Sequence, residues 1–285
     1  MTAKRKIGFI GLGNIGKPMA KHLIKDIFDV YVYDVFEKPR LELAALGAKA
    51  VSNPKEMFQL CDHVGLCVRD GKDVESLLYG ADGILENAKP GTIIAIHSTV
   101  HRSEILKWHA EGKGKSIMII DAPITGGAGG AEKGKLCYMV GADAATLEKC
   151  RPVLETSADK IIHAGEVGIG IVLKLCNNLI TYAQFTAMAE ASKLAKSCGL
   201  SETVLREVGK SNGIINEQMH TFISGRNGCL ASCTPEQMDQ IFGPFAKLGE
   251  KDLDCALVAA KEAGLTLPAT QLVRSLITDV YLGKV

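Results

Sequence analysis

Residues Ile7–Leu23 read IGFIGLGNIGKPMAKHL. A short apolar run gives way to three glycines, Gly11, Gly13 and Gly16, in G-x-G-x-x-G spacing, and then to a stretch from Lys17 to Leu23 with helical periodicity. A strand, a tight glycine turn and a helix form the geometry that seats a pyrophosphate. Glycine permits the turn, lets backbone approach the ligand and lets the helix pack on the strand, while the helix N-terminus presents free amides and partial positive charge. The spacing alone says little. Between a strand and a helix it marks Gly11, Leu12, Gly13, Asn14, Ile15 and Gly16 as a dinucleotide cradle.

Working outward, DVYVYD reads as a second strand that ends at Asp34, close to the ~20 residues beyond the glycine loop where an acidic side chain binds the adenosine ribose hydroxyls. A carboxylate there repels a 2′-phosphate. Val35 and Phe36 follow where an NADP binder more often offers arginine, so NAD is expected over NADP. KIGFIG, HVGLCV, GTIIAIHS, SIMIID and KLCYMVG also read as strands, separated by helical stretches such as Asp73–Leu78 and Ser103–Ala110. That alternation predicts a parallel, doubly wound α/β sheet of Rossmann type, with both faces covered.

From about Gly165 the strand-like runs stop. The glycine-rich HAGEVGIG (163–170) divides a dinucleotide-binding domain, 1–164, from an all-helical C-terminal domain, 165–285, concerned with substrate and oligomerisation. From Ile171 to Cys198 there is no Pro or Gly, enough for one helix of roughly 40 Å. Thr234 and Pro235 are placed as N-cap and first residue of another helix.

Composition excludes several partners. With 33 Lys and Arg dispersed among 32 Asp and Glu, the chain carries a formal net charge of +1 and no basic stripe for nucleic acid or an anionic bilayer. MTAKRKIGFIG is broken by glycine too early for a signal peptide and reads as the first strand. No run approaches the ~18 apolar residues of a membrane helix. Nine scattered cysteines, without a CxxC pair or zinc spacing, fit a reduced cytoplasmic protein with no metal; Cys229 and Cys233 read as plain thiols.

Two segments carry further chemistry. DAPITGGAGGAEKGKL (121–136) follows a strand end, where doubly wound sheets bind ligands. The Thr125 hydroxyl and the amides of Gly126 and Gly127 form either an anion nest for a small carboxylate or a plain flexible loop. GIVLKLCNNLI (170–180) places Lys174 in an otherwise apolar run, with Asn178 one helical turn on and on the same face. A lone lysine there reads first as an ammonium reaching water past its apolar stem.

Its company reverses that reading. GLGNIGKPMA, DAPITGG, GIGIVLKLCNN and KDLDCAL, in this order and spacing, resemble the motifs of the β-hydroxyacid dehydrogenase family over nearly the whole chain. The resemblance implies hydride transfer between NAD and the primary alcohol, or matching semialdehyde, of a small 3-hydroxy carboxylate. It implies Lys174 as general acid/base and Asn178 as the residue orienting it and the substrate oxygen. Thr125, Gly126 and Gly127 would hold the substrate carboxylate, Lys251 would close over cofactor and substrate, Thr99 would stand at the nicotinamide side, and Val68 and Arg69 would form a turn lining the cofactor. An amine can take the alcohol proton once its pKa falls from ~10.4 toward neutrality. Desolvation and the positive nicotinamide both act in that direction.

Some positions depart from the family pattern. Thr125 stands where serine is usual, and Val68–Arg69 replaces a Leu-Pro pair, bringing in an arginine able to reach an adenosine phosphate. Asn212 and Asn216 in SNGIIN stand either at a polar pocket wall or as helix caps. Relatives commonly run on past YLGKV. Leu272, Val273, Leu276, Ile277 and Val280 form a stripe for core or subunit contact in a homodimer or homotetramer. Imine reductases share the architecture but generally lack this lysine, and a non-catalytic dinucleotide-binding scaffold would not need Lys174, Asn178 and the Thr125 loop together.

Overall fold

A computed structural model of the chain describes residues 4–25 and 27–285. The first three residues of MTAKRKIGFIG, included in the expected first strand, lie outside the described residues. The first part of the chain contains β1 (Arg5–Ile10), α1 (Gly16–Leu23), β2 (Phe28–Tyr33), α2 (Glu37–Ala44), β3 (Lys49–Ala50), α3 (Pro54–Leu60), β4 (His63–Leu66), α4 (Gly71–Leu78), α5 (Ile84–Asn87), β5 (Ile93–Ile96) and α6 (Arg102–Gly114). It continues with β6 (Met118–Asp121), β7 (Ile124–Thr125), α7 (Gly127–Glu132), β8 (Leu136–Gly141), α8 (Ala144–Leu154) and β9 (Ala158–Gly165). Five helices follow: α9 (Ile169–Ser197), α10 (Glu202–Ser211), α11 (Glu217–Ser232), α12 (Pro235–Glu262) and α13 (Pro268–Leu282). The chain forms two compact units, one ending at Lys174 and the other beginning at Leu175.

In the first unit the sheet order is β3-β2-β1-β4-β5-β6-β8-β7, with β9 on β8. From β3 to β6 every pairing is parallel. The central strands β1, β4, β5 and β6 are largely apolar because both faces are covered and successive side chains alternate between them. Ile93 and Ala95 enter one core with Phe9 and Val32, while Ile94 and Ile96 enter the other with Leu66 and Trp108. The strand order reverses beside β1, which places the turns after β1 and β4 at the switch point where such sheets bind ligands.

The expected parallel sheet is present from β3 to β6, and beyond β6 the direction changes. Asp121 faces Gly141, Ile124 faces Tyr138 and Thr125 faces Cys137, all antiparallel, so β7 prolongs the line of β6 and α7 serves as the turn back into β8. A parallel return needs a crossover of a dozen or more residues spanning the sheet, and the short α7 does not supply it. KLCYMVG is a strand as expected, in the opposite direction. β3, β7 and β9 are additional strands. The first two are too short to show alternation, and β9 mixes exposed and half-buried residues.

In the second unit α12 starts with the expected cap: Thr234 Oγ1 accepts from the Gln237 amide and Gln237 Oε1 accepts from the Thr234 amide, a reciprocal box worth about 1 kcal/mol. α9 starts two residues before the glycine-free run and takes in Gly170. Asn216 and Asn212 cap backbone: Asn216 Oδ1 accepts from the Met219 amide and Asn212 Oδ1 from that of Ile214. Of the α13 stripe, Val273, Ile277 and Val280 are buried with Tyr182, Phe185 and Ile223. Leu272 is exposed. Among the described residues no helix is long and apolar enough to cross a membrane.

Candidate active site

The glycine loop joins β1 to α1. Gly11 has φ +90°, and a Cβ there would meet the Cys67 carbonyl in the turn after β4; a Cβ on Gly16 would meet the Gly11 carbonyl. Both glycines are thus required by the protein's own backbone. Gly13 is different: a Cβ built there meets nothing within 4 Å among the described residues, and its φ is not left-handed. What would exclude a side chain at Gly13 is something outside the chain, in the place a pyrophosphate occupies in such loops. This observation fits the residues to a dinucleotide. Asp34, at the end of β2, accepts from the Leu12 amide at 2.6 Å through Oδ2 and from the Phe36 amide at 2.8 Å through Oδ1. The acidic residue therefore also ties the loop to the neighbouring strand.

Across the switch point, Ser98 Oγ accepts from the Val68 amide at 2.9 Å and donates to the Val68 carbonyl at 2.7 Å. Ser98, beside Thr99, thereby fixes the turn after β4, a role that the sequence did not single out. Arg69 is exposed and spreads its guanidinium over both carboxylate oxygens of Asp73, at 2.8 and 2.9 Å. Thr125 is half-buried at the end of β7, and Gly126 and Gly127, with φ +126° and +63°, turn the chain into α7 with their surfaces open.

Lys174 and Asn178 both lie on α9, Lys174 half-buried and Asn178 buried. In the second unit Asn178 Nδ2 donates to Asp252 Oδ2 at 2.7 Å, and the Tyr182 hydroxyl donates to the same oxygen at 3.0 Å. Lys251 Nζ lies 3.2 Å from Asp252 Oδ1. A buried carboxylate on α12 thus gathers Asn178, Tyr182 and Lys251. Burial, with the charge of Asp252 second, pushes the Tyr182 phenol well above its ordinary range, so the hydroxyl stays a donor. Asp252 and Tyr182 are the participants that sequence reasoning missed. The signal for Asp252 was its place beside Lys251 in KDLDCAL.

Residues 6–165 match the family model of the NAD binding domain of 6-phosphogluconate dehydrogenase, and residues 168–281 the model described as NAD-binding of NADP-dependent 3-hydroxyisobutyrate dehydrogenase. A 2-(hydroxymethyl)glutarate dehydrogenase of Eubacterium barkeri is 37% identical over 99% of this chain and 90% of its own length. An NAD-dependent L-serine dehydrogenase of Pseudomonas aeruginosa is 34% identical over 95% of this chain and 91% of its own. Among solved structures, Mycobacterium tuberculosis 3-hydroxyisobutyrate dehydrogenase with L-serine superposes with TM-score 0.81 at 31% identity, covering 97% of this chain and 94% of that one. Fold and matches together define an NAD-binding oxidoreductase made of a dinucleotide sheet and a helical unit. Within that class, the chain belongs to the β-hydroxyacid dehydrogenase family.

Proposed function

We propose that the chain oxidises the primary alcohol of a small 3-hydroxy carboxylate, or reduces the matching semialdehyde, with Lys174 as general acid/base. The observation that carries this reading is Lys174 held half-buried on an apolar helix one turn before Asn178, whose amide is itself anchored to the buried Asp252. Bound NAD supplies the acceptor or donor of hydride. The protein's part is to bind, to orient and to move the proton. Lys174 Nζ takes the hydroxyl proton in oxidation and returns it in reduction, a positioned transfer worth on the order of 10²- to 10⁴-fold. Asn178 orients the lysine and the substrate oxygen. The Thr125 hydroxyl and the amides of Gly126 and Gly127 receive the carboxylate, and Lys251 closes over cofactor and substrate.

Gly11–Gly16 would hold the cofactor, with Asp34 at the ribose, Val68 and Arg69 in the turn that lines it and Thr99 at its nicotinamide side. In this reading residues 1–164 bind the dinucleotide, residues 165–285 serve substrate and assembly, and the protein acts in the cytoplasm as a homodimer or homotetramer. The relatives' names support the substrate class, a compact carboxylic acid with a hydroxymethyl group. Members of that class differ by groups that a pocket distinguishes by only about 1 to 3 kcal/mol.

The test is purified protein with NAD⁺ or NADP⁺ against 3-hydroxyisobutyrate, L-serine, glycerate, 3-hydroxypropionate and 2-(hydroxymethyl)glutarate, followed by absorbance of the reduced cofactor. Turnover of at least one acid, faster with NAD⁺, is the expected result. No turnover with any of them overturns the substrate class, and a strong NADP⁺ preference overturns the role given to Asp34.

A further inference from the structure

Asp121 closes β6 in the interior of the sheet, paired with Ile96 of β5 on one side and Gly141 of β8 on the other, and it is fully buried. The mechanism above does not use it. Both of its oxygens are engaged by backbone: Oδ1 accepts from the Gly168 amide and Oδ2 from the Ile171 amide, each at 2.7 Å. These amides lie at the start of α9, where a helix has donors without intrahelical acceptors.

The space around the carboxylate is closed by glycine. A Cβ on Gly141 would collide with Oδ1; one on Gly170 would collide with the Met139 carbonyl and lie 2.9 Å from Oδ2. Ile171 is itself fully buried in the core. The first turn of α9 is therefore pinned by a charged cap, by backbone contact with β8 and by one core side chain. Lys174 follows three residues after Ile171. Four residues after Asp121, along the same line of strand, comes Thr125.

We infer that Asp121 is a positioning residue: by clamping the first turn of α9 to the strand that leads into Thr125, it fixes where Lys174 presents its amine to a substrate held by the Thr125–Gly127 loop. The inference rests on Lys174 being the acid/base. Burial pushes its carboxyl up to about 6 in spite of the amides that lower it, and without the carboxylate those two buried amides lose their acceptor. A tie of this kind matters to chemistry because displacement of about 1 Å can cost on the order of a hundredfold in rate.

The test is a double-mutant cycle of Asp121→Asn and Lys174→Ala, measured as kcat with NAD⁺ and the best acid of the panel, alongside NAD affinity and amide hydrogen exchange of residues 168–174. Asp121→Asn is expected to lower kcat roughly ten- to a hundredfold with NAD affinity held within about twofold, to speed exchange in that segment, and to cost nothing further in the Lys174→Ala background. Gly170→Ala, which pushes the same turn away from the sheet, should behave alike and serves if Asp121→Asn does not fold. Unchanged kcat, unchanged exchange, or an equal loss in both backgrounds overturns the inference alone. A fully active Lys174→Ala overturns the proposed mechanism and this inference with it.

Discussion

Asn178 Nδ2 donates to Asp252 Oδ2 across 2.7 Å, joining α9 to α12 through a carboxylate that has almost no exposure to solvent. The bond leaves Asn178 a single amide orientation. Because the Tyr182 hydroxyl uses the same oxygen, Asp252→Ala strands two buried donors at once. Thermal denaturation should register a loss of about 2 to 4 kcal/mol, against about 1 kcal/mol for Tyr182→Phe, which removes one donor together with its need for a partner. Equal, small effects from the two variants would mean that the carboxylate does not organise the cluster.

The glycine loop separates stability from binding. Gly13→Ala meets open space, so its melting temperature should match the wild type while its affinity for NAD falls at least about tenfold, read by titration calorimetry. Gly16→Ala drives a methyl group into the Gly11 carbonyl and should lose about 1 to 3 kcal/mol of stability even without cofactor. A Gly13→Ala protein that binds NAD normally would remove the pyrophosphate from this place.

Asp34 is expected to set cofactor choice. Replacing it by serine removes the charge that repels a 2′-phosphate and should cut the ratio of kcat/KM for NAD⁺ over NADP⁺ by about tenfold or more. The same variant loses the 2.6 Å acceptor for the Leu12 amide, so affinity for both cofactors should also fall. Steady-state kinetics with each cofactor reads both effects, and an unaltered ratio would point instead to Arg69 or to residues further along the ribose.

His63 makes stability depend on pH. It is buried on β4, neither ring nitrogen has a hydrogen-bond partner among the described residues, and burial holds its pKa well below the ordinary value, with the charge of Arg5 acting the same way. The folded state therefore resists a proton that the unfolded chain accepts. The stability linked to this difference is present above about pH 6.5 and is lost as pH falls below it. His97, pushed down to about 4 mainly by burial, adds to the loss in the same direction. Asp121, with its carboxyl raised to about 6, opposes both, gaining stability as pH falls from about 6 toward 4. Melting temperatures should drop more steeply between pH 7 and 5 for the wild type than for His63→Leu; parallel curves would contradict this.

The parts of the fold legible in the sequence were those written in local periodicity. The runs around Ile7, Val30, Val64, Ile94 and Ile119 are apolar on both faces, which only a covered parallel sheet requires, and the cap at Thr234 follows from short-range chemistry. The reversal at β8 was not legible. KLCYMVG looks the same in either direction, and its pairing is fixed by how little chain lies between β7 and the return strand. Within the candidate site, Gly11–Gly16, Asp34 and Lys174 stood out through spacing or incongruity. Asp121 and Asp252 did not, because their partners are 50 and 74 residues away and local spacing carries no sign of such a pairing.

The most direct measurement for the central claim is turnover and NAD binding by Lys174→Ala in one preparation. With the best hydroxy acid of the panel, turnover should fall at least about a hundredfold while NAD affinity stays at the wild-type value, because the amine moves the proton and does not hold the dinucleotide. A variant that turns over as fast as the wild type would contradict the assignment of Lys174 as the acid/base.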